Sequence, residues 1–433
     1  MKRKILSNLL VAISILVVLA LSIPMVTGCR QAKPEEVQPI KVGFAAFRTG
    51  LLQEDNRHME RVFQVALAEA NGAGGVLGRP VEIVFVDIGN NTPAELSAAR
   101  DAFIAADVDV IFTSWWLVSK GIEYMLETGA FVIQFGWVSD DWEAWYNVKD
   151  KHPYFVQCNR DEEGYGVPWF QALQNPEMIT WDYPNKKAAI MMSDFGYTIK
   201  QATWWKEEAQ RHGWEIVYED IHPIGTIEFG PQLTRIRELN PSIVFMASNF
   251  VQEVIANFNG FIQNPTESLY VVTFAPTKPE FMDALGTKAD GVLGTVPTFH
   301  YVAGEYTGNN PYYTQMAQRH DFIKEEVATR FGEEPAPGGY HADDAFGVWK
   351  QAVEKTGSTT DYDAILEAIL ATPYVGALGR FAFDRETQAS SYGVDKIPIM
   401  YYQVRDGVPV TLAIGAGLDV EHDQEFQLPY WLQ

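Results

Sequence analysis

Apolar residues recur at spacings of three and four from Met59 through Val62, Phe63, Ala66 and Leu67 to Ala70, one stripe that predicts a helix beginning near Arg57. Asn71-Gly72 ends it. Gly74, Gly75 and Gly78 let the chain fold back, and Val81-Glu82-Ile83-Val84-Phe85-Val86 then reads as a strand buried on both faces of a parallel sheet. Asp87 stands at the strand's carboxyl end, where ligand clefts of α/β proteins open.

Short apolar runs at 108–113, 130–135, 187–193, 214–219, 242–247, 269–274 and 291–296 alternate with amphipathic segments, the pattern of βαβ units. One internal echo points to two similar halves. Glu82-Ile83-Val84-Phe85-Val86-Asp87-Ile88 returns as Glu215-Ile216-Val217-Tyr218-Glu219-Asp220-Ile221, each copy closing a strand-helix-strand unit.

Ile40-Lys41-Val42-Gly43-Phe44-Ala45-Ala46, Phe47-Arg48-Thr49-Gly50 and the N-x-x-G-G-x-x-G-x-P-V run from Asn71 to Val81 closely resemble the start of known extracytoplasmic proteins. These are the solute-binding proteins of the leucine/isoleucine/valine-binding family, which serve ABC importers. The resemblance runs from about residue 40 to 405. It implies a type 1 periplasmic binding fold, that is, α/β with two doubly wound parallel-sheet lobes and a three-crossover hinge near Gln157, Pro297 and Ile397. Lobe one would hold 40–157 and 297–396, and lobe two 158–296 and 397–415. Asp161 matches a family position beside the first crossover and is expected to support the hinge. The tail, 416–433, falls outside the resemblance and has no assigned role.

The amino terminus changes the picture. Lys2, Arg3 and Lys4 precede an apolar run from Ile5 to Ile23, and Val26-Thr27-Gly28-Cys29 follows, a bacterial lipoprotein signal pattern. Residues 1–28 would be removed and Cys29 would carry lipid, anchoring the chain to the membrane, with 29–39 as a Gln-, Lys-, Pro- and Glu-containing tether. The competing reading is an uncleaved transmembrane helix, which Ser7, Asn8, Ser14 and Ser22 dilute. Cleavage takes three basic and no acidic residues, so 30 Lys and Arg would face 56 Asp and Glu, a net charge of −26. Nucleic acid is excluded as a partner by that balance. With Cys29 lipidated, Cys158 is left without a disulfide partner.

Catalytic and cofactor motifs are missing: there is no G-x-x-x-x-G-K-[ST], H-E-x-x-H, G-x-S-x-G or C-x-x-C. Gly72-Ala73-Gly74-Gly75-Val76-Leu77 departs from the dinucleotide fingerprint at Leu77 and follows a helix, so it is a turn. His341-Ala342-Asp343-Asp344 is the one compact His/carboxylate group, better read as acids complementing a helix start than as a metal site. No cofactor or metal is expected.

In a two-lobed binder the ligand lies between loops at the carboxyl ends of strands, and hinge closure buries it. The loops concerned contain Trp115, Trp116 and Ser119; Trp137 and Ser139; Phe195 and Tyr197; Asn249; and Ala275-Pro276-Thr277 after Phe274. Amino-acid-binding members of the family carry serines and an Ala-Thr pair in the first two loops to hold an α-carboxylate. Alignment puts Trp115, Trp116, Trp137 and Val138 in or beside those places. Where members place a glutamate for the α-ammonium, this chain has Phe274. A free amino acid bound in the usual way would leave buried charge unpaired, at a cost of several kcal/mol.

The ligand is therefore not expected to be a standard branched-chain amino acid. In the loop after the first strand, Asp55 replaces the family's aromatic, next to Glu54, so indoles and a carboxylate could cage a cationic solute. Stacking on an aromatic or sugar-like ring, and packing of two of these tryptophans between lobes, are the competing readings. The expected protein is a monomeric, lipid-anchored binding component that hands a small organic ligand to an ABC permease and performs no chemistry. A ligand-sensing receptor subunit and an amide-processing enzyme on the same fold are its rivals.

Overall fold

The stripe from Met59 to Ala70 is buried, and its helix spans Gln53–Gly72, beginning one turn ahead of Arg57. Asn71 does more than end the helix. Its side-chain amide donates to the Val81 carbonyl (2.9 Å) and its oxygen accepts from the Val81 amide (2.7 Å), tying the helix end to the next strand. The turn between them is closed by reciprocal backbone bonds of Val76 and Arg79, and Gly75, at φ +82°, leaves no room for a side chain: a Cβ there would stand 1.9 Å from the Arg79 carbonyl oxygen. The structure, a computed structural model of the 433-residue chain, describes residues 38–50, 52–114, 121–136, 139–159, 164–296 and 310–433, with the backbone alone at Asp55 and 139–141.

β1 (Ile40–Ala46), β2 (Val81–Asp87), β3 (Val110–Thr113), β4 (Phe131–Gln134) and β5 (Phe155–Gln157) form a parallel five-stranded sheet in the order β2-β1-β3-β4-β5. This is a doubly wound order, as the strand-helix alternation predicts. One expectation needs correction. β2 is an edge strand, and Ile83 to Val86 are only partly buried, because apolar content alone does not separate an edge from an interior strand.

β6 (Lys187–Ser193), β7 (Glu215–His222), β8 (Ile243–Ala247), β9 (Leu269–Val272) and β10 (Leu293–Val296) repeat that order as β7-β6-β8-β9-β10, again parallel. The two copies of the sequence echo therefore lie on equivalent edge strands, β2 and β7. After a two-stranded hairpin of β11 (Tyr374–Val375) and β12 (Arg380–Phe381), β13 (Ile399–Arg405), β14 (Val408–Ala416) and β15 (Asp419–His422) add antiparallel to β10 and complete an eight-stranded sheet.

The helices Tyr313–Phe331, Tyr340–Thr356 and Tyr362–Ala371 return to the first sheet, where Ile323, Val327, Trp349 and Ile365 are fully buried in its core. Each large apolar side chain so buried contributes about 1.5–3 kcal/mol. The second sheet is covered on both faces, by Trp169, Trp205 and Trp214 on one and Phe258, Phe261 and Phe281 on the other. At the carboxyl end of β5 a second chain segment runs alongside: Gln157 pairs in parallel with Ala389, and the Ser390 hydroxyl donates to the Cys158 carbonyl (2.5 Å). Cys158 is a free, buried thiol.

The tail, unassigned by sequence, belongs to the second sheet. Beyond β15, the Trp431 indole donates to the Ser268 carbonyl (2.9 Å) and packs on Phe258 and Phe261, while Gln403 donates to the Gln427 carbonyl (2.7 Å).

Candidate functional site

At the carboxyl ends of β6, β8 and β9 the chain turns through aromatic residues. Phe195 and Phe250 meet edge to face at 6.0 Å between ring centroids, Phe195 and Tyr197 are 6.4 Å apart, Tyr197 and Tyr165 6.4 Å, and Tyr165 and Phe274 6.0 Å. These contacts form one continuous aromatic rim. Tyr165 and Tyr197 are buried, whereas Phe195, Phe250 and Phe274 are partly exposed. Of the rim, Phe195, Tyr197 and Phe274 are expected contacts from sequence, Phe250 belongs to the expected ligand loop Ser248-Asn249-Phe250 without being named as a contact, and Tyr165 is not foreseen. Tyr165 lies just before the helix Val167–Leu173, in a stretch too short to show periodicity.

Loop geometry is set by the sequence. The Phe274 carbonyl accepts from the Thr277 amide (2.8 Å) and hydroxyl (2.7 Å) in a single 3₁₀ turn, while the Tyr402 hydroxyl donates to the Thr273 carbonyl (2.9 Å) from β13. Lys278 places its ammonium 5.2 Å from the centroid of the Phe274 ring. Asn249, expected as a ligand contact, follows β8, and its Oδ1 is buried with no hydrogen-bond partner among the described residues. On the first sheet the Thr113 and Ser114 hydroxyls, at the end of β3, are likewise buried and unpartnered among the described residues.

Asp87, at the carboxyl end of β2, is a loop-fixing group. It accepts from the amides of Arg48 (3.1 Å), Thr49 (3.3 Å) and Gly89 (2.9 Å) and from the Thr49 hydroxyl (2.9 Å). Burial pushes its carboxyl up, but these hydrogen bonds outweigh burial and hold it below the usual range. The His341-Ala342-Asp343-Asp344 group disperses: His341 contacts the Asn159 amide (2.9 Å), Asp343 pairs with Arg319 (2.5 Å), and Asp344 accepts from the amides of Ala377 (2.7 Å) and Leu378 (2.9 Å). Among the described residues no cluster of His, Cys, Asp and Glu is arranged to hold a metal ion.

Asp55 lies in the first turn of Gln53–Gly72 and Ser139 opens the helix Ser139–Tyr146; both side chains lie outside the described residues, as do Trp115, Trp116, Ser119, Trp137, Asp161 and Cys29. The aromatic cage expected around Asp55 is thus not part of the described site. The rim on the second sheet is.

The model of one family, described as periplasmic binding protein, matches residues 39–394. The chain belongs to that family. Leu/Ile/Val-binding protein homolog 6 of Brucella suis biovar 1 is 25% identical over 245 residues, 56% of this chain and 58% of that protein. The chain thus spans about 58% of the length of the curated relatives it matches. A Silicibacter pomeroyi structure assigned to a branched-chain amino acid ABC transporter covers 91% of this chain and 100% of its own at TM-score 0.79 and 20% identity. A solute-binding protein of an ABC transporter from Rhodopseudomonas palustris HaA2, in complex with p-hydroxybenzoic acid, covers 89% of this chain and 98% of its own at TM-score 0.67 and 18% identity. At those identities the likeness is one of fold, and the fold is that of the type 1 periplasmic binding proteins.

Proposed function

We propose that this periplasmic binding protein is the lipid-anchored, extracytoplasmic binding component of an ABC importer. Its two sheets would be the cores of two lobes, 40–157 with 297–396 and 158–296 with 397–415, which close over a small ring-bearing organic solute and present it to a membrane permease. The rim Tyr165, Phe195, Tyr197, Phe250 and Phe274 carries this reading, because it puts aromatic faces at the carboxyl ends of strands, where the ligands of such folds sit. Lys278 beside Phe274 favours an anionic over a cationic group on this side of the ligand. The p-hydroxybenzoic acid bound to the Rhodopseudomonas palustris protein has that chemistry.

A ligand that bridges both lobes binds the closed state better, and that difference in affinity drives closure without any reaction. Anchoring would come from Cys29; among the described residues no helix is long and apolar enough to cross a membrane. Titration of tryptophan fluorescence with p-hydroxybenzoate tests the reading. A saturable change is expected, and Trp137→Ala is expected to weaken binding while leaving the fold intact; unchanged affinity in that variant would remove Trp137 from the site.

A further inference from the structure

Beneath the aromatic rim lies a buried polar centre that joins elements far apart in sequence. Glu253 is the third residue of the helix Val251–Ile262, where a glutamate ordinarily caps its own helix, and its side chain is 1% exposed. Here it reaches across the sheet instead. Its Oε2 accepts from the Ser193 hydroxyl at the end of β6 (2.6 Å) and the Ser248 hydroxyl after β8 (2.7 Å), and lies 3.3 Å from His222 Nε2 at the end of β7. Its Oε1 accepts from the Gly225 amide in the loop after β7 (2.6 Å).

The pinned groups adjoin the rim. The Thr198 hydroxyl donates to the Ser193 and Phe195 carbonyls (2.8 Å each), and the Ser248 Oγ also accepts from the Phe250 amide (2.9 Å). His222 stands edge-on to Phe229 at 5.0 Å, with Asp220 3.4 Å from its Nδ1. Serine, histidine and carboxylate meet, but the hydroxyls and the imidazole all face the same carboxylate, so among the described residues no imidazole is placed to take a proton from either serine.

We propose that Glu253 is a positioning residue: one carboxylate registers the loops after β6, β7 and β8 against each other and so sets the spacing of Phe195, Tyr197, Asn249 and Phe250. This rests on the rim being the ligand-contacting face, but the pinning can be read without any ligand. An ionised carboxylate buried among several donors is strongly held, and replacing it by an amide supplies donors where donors already converge.

Amide hydrogen exchange on wild type, Glu253→Gln, Ser193→Ala and Ser248→Ala tests it. In Glu253→Gln exchange is expected to rise about fivefold or more in 194–198, 223–227 and 248–250 together, with the core strands of the first sheet unchanged. Ser248→Ala is expected to loosen 248–250 alone, and Ser193→Ala 194–198 alone. Wild-type exchange in all three loops of Glu253→Gln, or loosening no wider than in Ser248→Ala, would overturn the proposal. With p-hydroxybenzoate as probe, Glu253→Gln is expected to weaken binding about tenfold, and undiminished affinity despite loosened loops would reduce Glu253 to a purely structural role. If wild type fails to bind that probe, the ligand reading falls while the exchange result still decides the pinning.

Discussion

Tyr165 stacks at an angle on Phe274, ring centroids 6.0 Å apart, joining the segment that has just left the first sheet to the carboxyl end of β9 in the second. By the family resemblance of the sequence, Phe274 takes the place expected of a glutamate that would hold an ammonium. Together the two rings make that corner an apolar wall. Phe274→Glu is expected to weaken binding of a ring-bearing solute about tenfold or more, because the new carboxylate would be desolvated between Tyr165 and the ring of the proposed ligand. Isothermal titration with p-hydroxybenzoate checks this; unaltered affinity would move the ligand away from Phe274.

Tyr165→Ala is expected to weaken the same binding without changing the secondary structure measured by circular dichroism. The loss should exceed that from Tyr165→Phe, since the proposed rim is held by the ring contacts to Tyr197 and Phe274. Equal losses in the two variants would show that the hydroxyl, not the ring, is what matters.

Acid should destabilise the protein through His341, against the opposite contribution of Asp343 and Asp344, whose carboxyls burial pushes up. Burial lowers the His341 imidazole from the ordinary 6.5 to about 3, so between those values the unfolded chain binds a proton that the folded one refuses. Stability therefore falls as pH drops below 6.5, by at most about 1.4 kcal/mol per pH unit from this group. Further down, Glu253 and Asp87, whose hydrogen bonds outweigh burial to hold them below the usual carboxylate range, lose their stabilisation as they protonate. Urea unfolding at pH 7, 6 and 5 checks the first part. The slope should flatten in His341→Asn, and an equal slope in both proteins would contradict this assignment.

How much of this was legible in the chain depends on the reach of each interaction. The Met59 to Ala70 stripe and the glycine turn are local, so their period and punctuation carry over directly into a helix and a tight return. The loops of the second sheet could be named because they follow apolar strand runs. Glu253 could not be found, since Ser193 lies 60 residues away and only the β8-β6-β7 order brings the two together. The tail was opaque for a similar reason: its aromatics answer single backbone carbonyls such as that of Ser268, which no sequence pattern announces.

Trp431 should matter to stability although it is nearly the last residue. Trp431→Ala removes the bond to Ser268 and the ring contacts to Phe258 and Phe261, and is expected to cost about 2–3 kcal/mol, read as a lowered thermal midpoint. No change would mean that the tail contributes nothing to the second sheet.

Whether this periplasmic binding frame encloses a ring-bearing solute is decided by native mass spectrometry of the protein purified from its own host. One small molecule per chain is expected, released on unfolding, with the mass and fragmentation of a ring-bearing organic compound. A free branched-chain amino acid in that place would contradict the account.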